Sequence, residues 1–500
     1  MTFDVHQLDT FLFIGAAVTL LAILAVRVSS RAGLPSLLLY LMIGVLLGES
    51  VAGIGFEDYA LAHALGFGAL VLILGEGGLT TDLGQVRDSL RLGAVLATLG
   101  IAVSVGVMAL AGHYLLGLPW ILAVLLGAVC SPTDSAAVFS VLRVVPVPRR
   151  LTGALEAESG LNDAPTVVLV TLVSSGAFGE YGALLTLAII VGELAGGVLV
   201  GLVVGWCGGW LMRRAALPAS GLYPLAVLTL CLFAYGAGTA VHVSGFAAVY
   251  VAGLLLGNAE LPHRAATRSF AEGVAWLAQI GLFVMLGLLA SPGRFDGRTV
   301  VVALVAGLVL TLVARPLSVL ASAWADPMSP RELAFISWAG LRGAVPIVLA
   351  TIPLSEGVPG AEELFDVVFV LVVVYTLLTG PTLPLVARLL GVAQRSEPRG
   401  LDVEAAPLER IAADLLQVQI EPASRLHGVE VGELRLPVGS SVSLVVREGR
   451  TMVPDFRTTL RHGDELLVVT PRRQRQATEK RLRELSTRGR LAQWLRDEPE

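Results

Sequence analysis

"ESGLNDAPTVVL", Glu158 to Leu169, sets two carboxylates, Glu158 and Asp163, at the head of the apolar run "TVVLVTLV". An ionisable side chain inside an apolar segment of membrane length is costly and rarely idle. The surrounding composition decides whether this stretch lies in a bilayer. The 500 residues are 55% hydrophobic and 15% charged, with mean hydropathy +0.77, whereas soluble domains carry about 25% charged residues. Most of the chain therefore reads as membrane. Beyond Glu397 charged residues become frequent, so a membrane domain, 1–395, precedes a soluble module, 396–471, and a charged helical tail, 472–500. The net charge of −5 argues against nucleic acid as a partner. Cys130, Cys207 and Cys231 lie in apolar runs without metal spacing and read as small core residues. The start "MTFDVHQLDT" lacks the basic region and cleavage site of a signal peptide, so the first helix is expected to remain.

Spans of roughly 20 apolar residues predict an all-α polytopic membrane protein with about thirteen transmembrane helices, among them 118–142, 153–176, 299–322 and 331–353. Loops carrying Arg27/Arg31, Arg87/Arg91, Arg149/Arg150, Arg213/Arg214, Arg264/Arg268 and Arg315/Arg331 alternate with loops carrying Glu49/Glu57/Asp58, Glu180 or Glu362/Glu363. The positive-inside rule makes the basic set cytoplasmic. The N-terminus is then outside, and the C-terminal α/β module is cytoplasmic.

An internal echo divides the membrane domain. "GVLLG" (44–48) recurs as "GLLLG" (253–257), "LVLILGEGGL" resembles "LFVMLGLL", and "GAVCSP" (127–132) matches "GAVP" (343–346), all at offsets of roughly 210 residues. An odd offset of seven spans gives the halves opposite orientation, the signature of inverted repeats. Pro132 and Pro346 mark "SPTDSAAV" and "RGAVPIV" as two broken helices at matched positions, and irregular backbone at membrane depth is tolerated where it lines a cavity.

Four ionisable residues gather near these breaks: Asp134, Glu158, Asp163 and Arg342. Glu158 and Asp163 are five residues apart, so on a helix they diverge by about 140° and serve different tasks. Pairing Glu158 with Arg342 is economical, because a lone buried charge costs several kcal/mol. Asp163 is then the unpaired carboxylate, open to competition between a proton and a cation. Asp134 also fits a plain capping role at the broken half-helix. Glu76 and Glu193 fall in apolar runs, and no transport role is expected of Glu76.

"SPTDSAAV", "ESGLNDAPTVVL" and "GLRGAVPIVLA", in this order, resemble the monovalent cation:proton antiporter family, in its NhaP-type branch, across the membrane domain. The resemblance implies that Asp163 binds the ion and the proton, and that Thr133, Asp134 and Ser159 help to build the site. Glu158, Asn162 and Arg342 fall where that family keeps its polar support. It further implies a mobile bundle working against a dimer-forming scaffold. Asn162 stands where the electrogenic branch has a second Asp, which implies electroneutral exchange of one cation for one proton.

From Leu401 the pattern changes to short alternating strands, "LLQVQI", "SSVSLVVREGR" and "DELLVVT". This region resembles the TrkA-C, or RCK C-terminal, regulatory module, which implies dimerisation and a small regulatory ligand. No glycine-rich dinucleotide fingerprint precedes it, and no cofactor is expected. The reading favours a potassium:proton antiporter of the inner membrane, with a sodium:proton antiporter as the alternative. A ligand-gated potassium channel would show a "TVGYG"-like filter, which is absent. A hydrolase using Ser159 would need a GxSxG elbow, also absent. The expectation is a transporter and not an enzyme.

Overall fold

The computed structural model describes residues 5–32, 36–49, 53, 56, 58–87, 89–134, 147–290, 292–393, 401–408, 413–421, 424–447 and 450–488. The chain divides into two compact units, Met1–Gln394 and Arg395–Glu500.

Among its described residues the first unit is built from helices. Its elements are α1 (Val5–Ala32), α2 (Ser36–Leu47), α3 (Tyr59–Thr80) and the single turn α4 (Leu83–Val86). Then follow α5 (Leu90–Tyr114), α6 (Trp120–Cys130), α7 (Arg149–Ser174), α8 (Ala177–Arg214), α9 (Leu222–Ala240), α10 (Gly245–Asn258) and α11 (Arg264–Leu289). The unit ends with α12 (Gly297–Ala325), α13 (Pro330–Trp338), α14 (Ala344–Ser355) and α15 (Ala361–Leu389). Among the described residues, seven helices are long and apolar enough to cross a membrane, and five shorter apolar helices pack with them. Large apolar side chains such as Phe13, Leu199, Trp206 and Leu389 point outward, as they do when lipid replaces water as solvent. Cys207 points outward too, on α8, and departs from the expected core position, while Cys130 and Cys231 are buried.

Contacts sort these helices into two groups. α2, α3, α8, α9, α10 and α11 pack on one another, and α5, α6, α7, α12, α13, α14 and α15 form the second group. Glycines set the close approaches in the first group. A methyl at Gly44 of α2 would sit 2.8 Å from the Gly287 Cα of α11, and one at Gly253 of α10 would sit 3.3 Å from the Gly78 Cα of α3. The two contacts are counterparts, each glycine lying about 210 residues from its match, so the echoed sequences make equivalent packing. Two π-turns, Leu96–Gly100 in α5 and Leu310–Ala314 in α12, stand at a similar offset in the second group.

The second helix break differs in detail from expectation. α13 ends at Trp338 and α14 starts at Ala344, so the unwound stretch precedes Pro346, which sits in the first turn of α14. Proline is tolerated there because a first-turn N–H has no intrahelical partner in any case. The first break follows the sequence reading, since α6 stops at Cys130 and Ser131–Asp134 is non-helical around Pro132. The rest of the expected 118–142 span lies outside the described residues.

The second unit holds a five-stranded antiparallel sheet in the order β1-β2-β5-β3-β4. The strands are β1 (Leu401–Leu408), β2 (Ala413–Ile420), β3 (Ser441–Arg447), β4 (Arg450–Met452) and β5 (Glu465–Pro471), followed by helix α16 (Arg475–Arg488). Leu416 and Val418 pair with Val468 and Leu466 on one face, where Leu482 and Leu485 of α16 complete a core of their own. The sequence pattern found β2, β3 and β5 and missed β1 and β4. Residues 489–500 of the expected charged tail lie outside the described residues.

Candidate ion and proton site

The two unwound segments meet at their backbones. The Asp134 N–H donates to the Leu341 carbonyl at 2.9 Å, and Gly343 lies so close to the Asp134 carboxylate that a side chain there would overlap it. Such a crossing brings together helix ends whose carbonyls have left the helical ladder. Arg342 braces it by donating from Nε to the Cys130 carbonyl and from Nη1 to the Gly340 carbonyl, both at 2.7 Å. Thr376 of α15 donates to the Arg342 carbonyl at 2.6 Å.

α7 runs alongside and presents its polar residues by face. Ser159 Oγ donates to the Thr133 carbonyl at 2.6 Å, and Asn162 Nδ2 donates to Thr133 Oγ1 at 2.9 Å. These bonds tie α7 to the end of the first broken helix. Asp163 follows at 7% exposure, and among the described residues its Oδ1 has no hydrogen-bond partner. A buried carboxylate oxygen left open in this way can be satisfied by a proton or by a small cation. The structure thus brings Thr133, Asp134, Ser159, Asn162 and Asp163 together.

Glu158 lies on the opposite face of α7, and its partner corrects the sequence reading. Arg315 of α12, and not Arg342, forms the pair: Nη2 donates to Oε2 at 2.8 Å and Nη1 donates to Oε1. Glu158 is 0% and Arg315 3% exposed, so Arg315 is not in a loop. The sequence reading grouped Arg315 with Arg331 as a loop pair although the expected span 299–322 contains it. The π-turn Leu310–Ala314 stands directly before Arg315 and sets it just ahead of Pro316 in α12. A recoverable signal was present, since Arg315 interrupts an otherwise uncharged run from Val300 to Leu320. Arg342 remains in the cluster as a second buried guanidinium, at 5% exposure.

Crossed unwound helices beside an open buried carboxylate define the chain as a secondary ion transporter, a multi-pass membrane protein and not an enzyme. The chain belongs to the sodium/hydrogen exchanger family, whose transmembrane model matches residues 16–389. A TrkA-C domain model matches residues 415–483. The chain is 35% identical over 475 residues to the K(+)/H(+) antiporter NhaP2 of Shewanella oneidensis, covering 93% of this chain and 82% of that protein. It is 37% identical over 472 residues to the K(+)/H(+) antiporter NhaP of Alkalimonas amylolytica, covering 92% and 81%. In fold it is similar to the sodium proton antiporter MjNhaP1 from Methanocaldococcus jannaschii, with TM-score 0.66 and 21% identity, covering 77% of this chain and 99% of that one.

Proposed function

We propose that the chain exchanges a monovalent cation, with K+ favoured, for a proton, one for one and without net charge movement. The carrying observation is the charge count at the crossing. Among the described residues, Asp134, Glu158 and Asp163 are buried with Arg315 and Arg342, three carboxylates against two guanidiniums. The cluster is therefore neutral when it holds one proton or one monovalent cation, and unbalanced when it holds both or neither. Since uncompensated buried charge is costly, movement between the two faces favours the singly loaded states. Asp163 takes the proton or the cation. Asp134, Ser159 and the Thr133 oxygens complete the ion ligands, while Asn162, Glu158 and Arg342 hold the frame. Pro132 and Pro346 keep the two half-helices from closing into continuous ladders.

The K+ preference follows the two K(+)/H(+) antiporter relatives at 35% and 37% identity. About thirteen spans arranged as inverted repeats, an outside N-terminus, an inner-membrane location, a homodimer and a cytoplasmic regulatory module complete the proposal. The test is cation-driven proton flux in proteoliposomes with K+, Na+, Rb+ and Li+, comparing the wild type with Asp163→Asn. Folded Asp163→Asn protein should be inactive with every ion. Full exchange by that variant would refute the mechanism, and a preference for Na+ would overturn the choice of ion alone.

A further inference from the structure

Glu156, Gly160 and Asp163 share one face of α7, since offsets of four and three residues return close to the same direction. That face looks across the boundary between the two helix groups, at α10. Tyr250 of α10, 6% exposed, lays its phenol on Gly160 so closely that any side chain at 160 would overlap the hydroxyl. The hydroxyl therefore sits between the levels of two carboxylates, about 6 Å along the helix from Glu156 and about 4.5 Å from Asp163 at 1.5 Å per residue. Thr81, at the end of α3, hydrogen-bonds the hydroxyl, and both carboxylates lie within electrostatic reach of it. Glu156, half-buried, adjoins Thr81 and Asp82 at the end of α3, where Asp82 caps the short helix α4 through the Gly84 N–H at 2.9 Å.

We infer that the Tyr250 hydroxyl and the Glu156 carboxylate form the proton route between Asp163 and the surface at Asp82. The step balances without a free charge on tyrosine. The phenol oxygen accepts the proton leaving Asp163 while its own O–H proton passes to the Glu156 carboxylate, directly or through one water. The O–H bond is re-formed, and Glu156 releases the proton beside Asp82. A cation cannot follow this route through the phenol, so proton and cation reach Asp163 by different sides of the same carboxylate. Gly160 is required because it gives the hydroxyl its place on α7.

The inference rests on exchange at Asp163, so Asp163→Asn is the control that tests that reading separately. In reconstituted full-length protein, Tyr250→Phe and Glu156→Gln should each lower the maximal exchange rate by about a hundredfold, with the apparent KM for the cation unchanged and a larger solvent deuterium isotope effect. The double variant should be no slower than the slower single, because both act on one route. Gly160→Ala should reproduce the Tyr250→Phe phenotype and add nothing to it. Rates within twofold of wild type, additive losses in the double variant, or a loss carried by KM would each overturn the route. If Tyr250→Phe proves unstable to heat, the rate, KM and isotope effect of Glu156→Gln decide the question alone.

Discussion

The Arg315 guanidinium engages both carboxylate oxygens of Glu158, joining α12 to α7 with both residues buried. A pair of this kind contributes modestly as a whole, but breaking one side leaves an uncompensated buried charge. Glu158→Gln and Arg315→Gln should each lower stability by about 3–5 kcal/mol, read as an earlier thermal midpoint in detergent. The double variant should recover part of that loss. Strictly additive losses would mean that the two side chains do not depend on each other.

Gly343 should not tolerate even a methyl group. It faces the Asp134 carboxylate at the crossing with no room for a side chain. Gly343→Ala should displace Asp134 or part the two unwound segments, at a cost of about 1–3 kcal/mol for overpacking. Exchange should fall at least as far as it does in Asp134→Ala, and wild-type flux in Gly343→Ala would show that the segments are free to separate.

Exchange should be insensitive to membrane potential. The charge count of three carboxylates and two guanidiniums at the crossing leaves one elementary charge to balance on each half of the cycle. Moving a net charge would couple the rate to voltage by about 2.3 kcal/mol per 100 mV. Flux measured at imposed potentials of either sign should therefore coincide, and a rate that follows the potential would contradict the count.

In the second unit, Asp464 is buried, and Arg447 holds it through Nε at 2.8 Å and Nη2 at 2.7 Å, with the Arg461 N–H adding a third bond at 2.8 Å. Burial pulls its acidity one way, but the Arg447 and backbone hydrogen bonds prevail and hold its pKa below the ordinary 3.8. A depressed carboxylate contributes stability that is fully present above its unfolded value and lost as pH falls through the folded one. Stability of this unit should thus be flat in this respect from pH 7 to pH 5 and decline only under stronger acid. Asp464→Asn should lower stability at pH 7 and weaken that acid dependence, read by amide hydrogen exchange of β3 and β5 in the full-length protein. An unchanged exchange pattern would remove Asp464 as an anchor of the sheet.

The motifs around Asp134, Asp163 and Arg342 carried most of the site because their polar residues interrupt apolar runs, where burial must be answered by a partner. The partner itself was less legible. Arg342 was the obvious cation by motif, and the π-turn that sets Arg315 just ahead of Pro316 in α12 has no signal in a 3.6-residue period. Tyr250 was invisible for another reason: nothing in "AAVYVAGLLL" separates a core tyrosine from one laid across Gly160 of a distant helix. In the second unit, period-two patterning found the strands with one buried face. β4, with all three residues exposed, has no such face to announce it.

Removing the chain after about Arg399 should leave exchange intact and abolish its regulation. Every proposed ion ligand precedes Leu349, and the helical unit ends at Gln394 as a compact body with its own core. The second unit also has its own core and a sheet without membrane-length strands, so it can act on transport only by biasing which state the helices occupy. A small ligand can supply that bias if its affinity differs between two arrangements of the module. The measurement compares flux against cytoplasmic pH for full-length and truncated protein in proteoliposomes, with and without candidate nucleotides. Full-length protein should respond to pH or ligand where the truncated form does not. Identical profiles would reduce the module to a passive dimerisation element, and loss of all exchange in a folded truncation would place part of the transport machinery beyond Gln394.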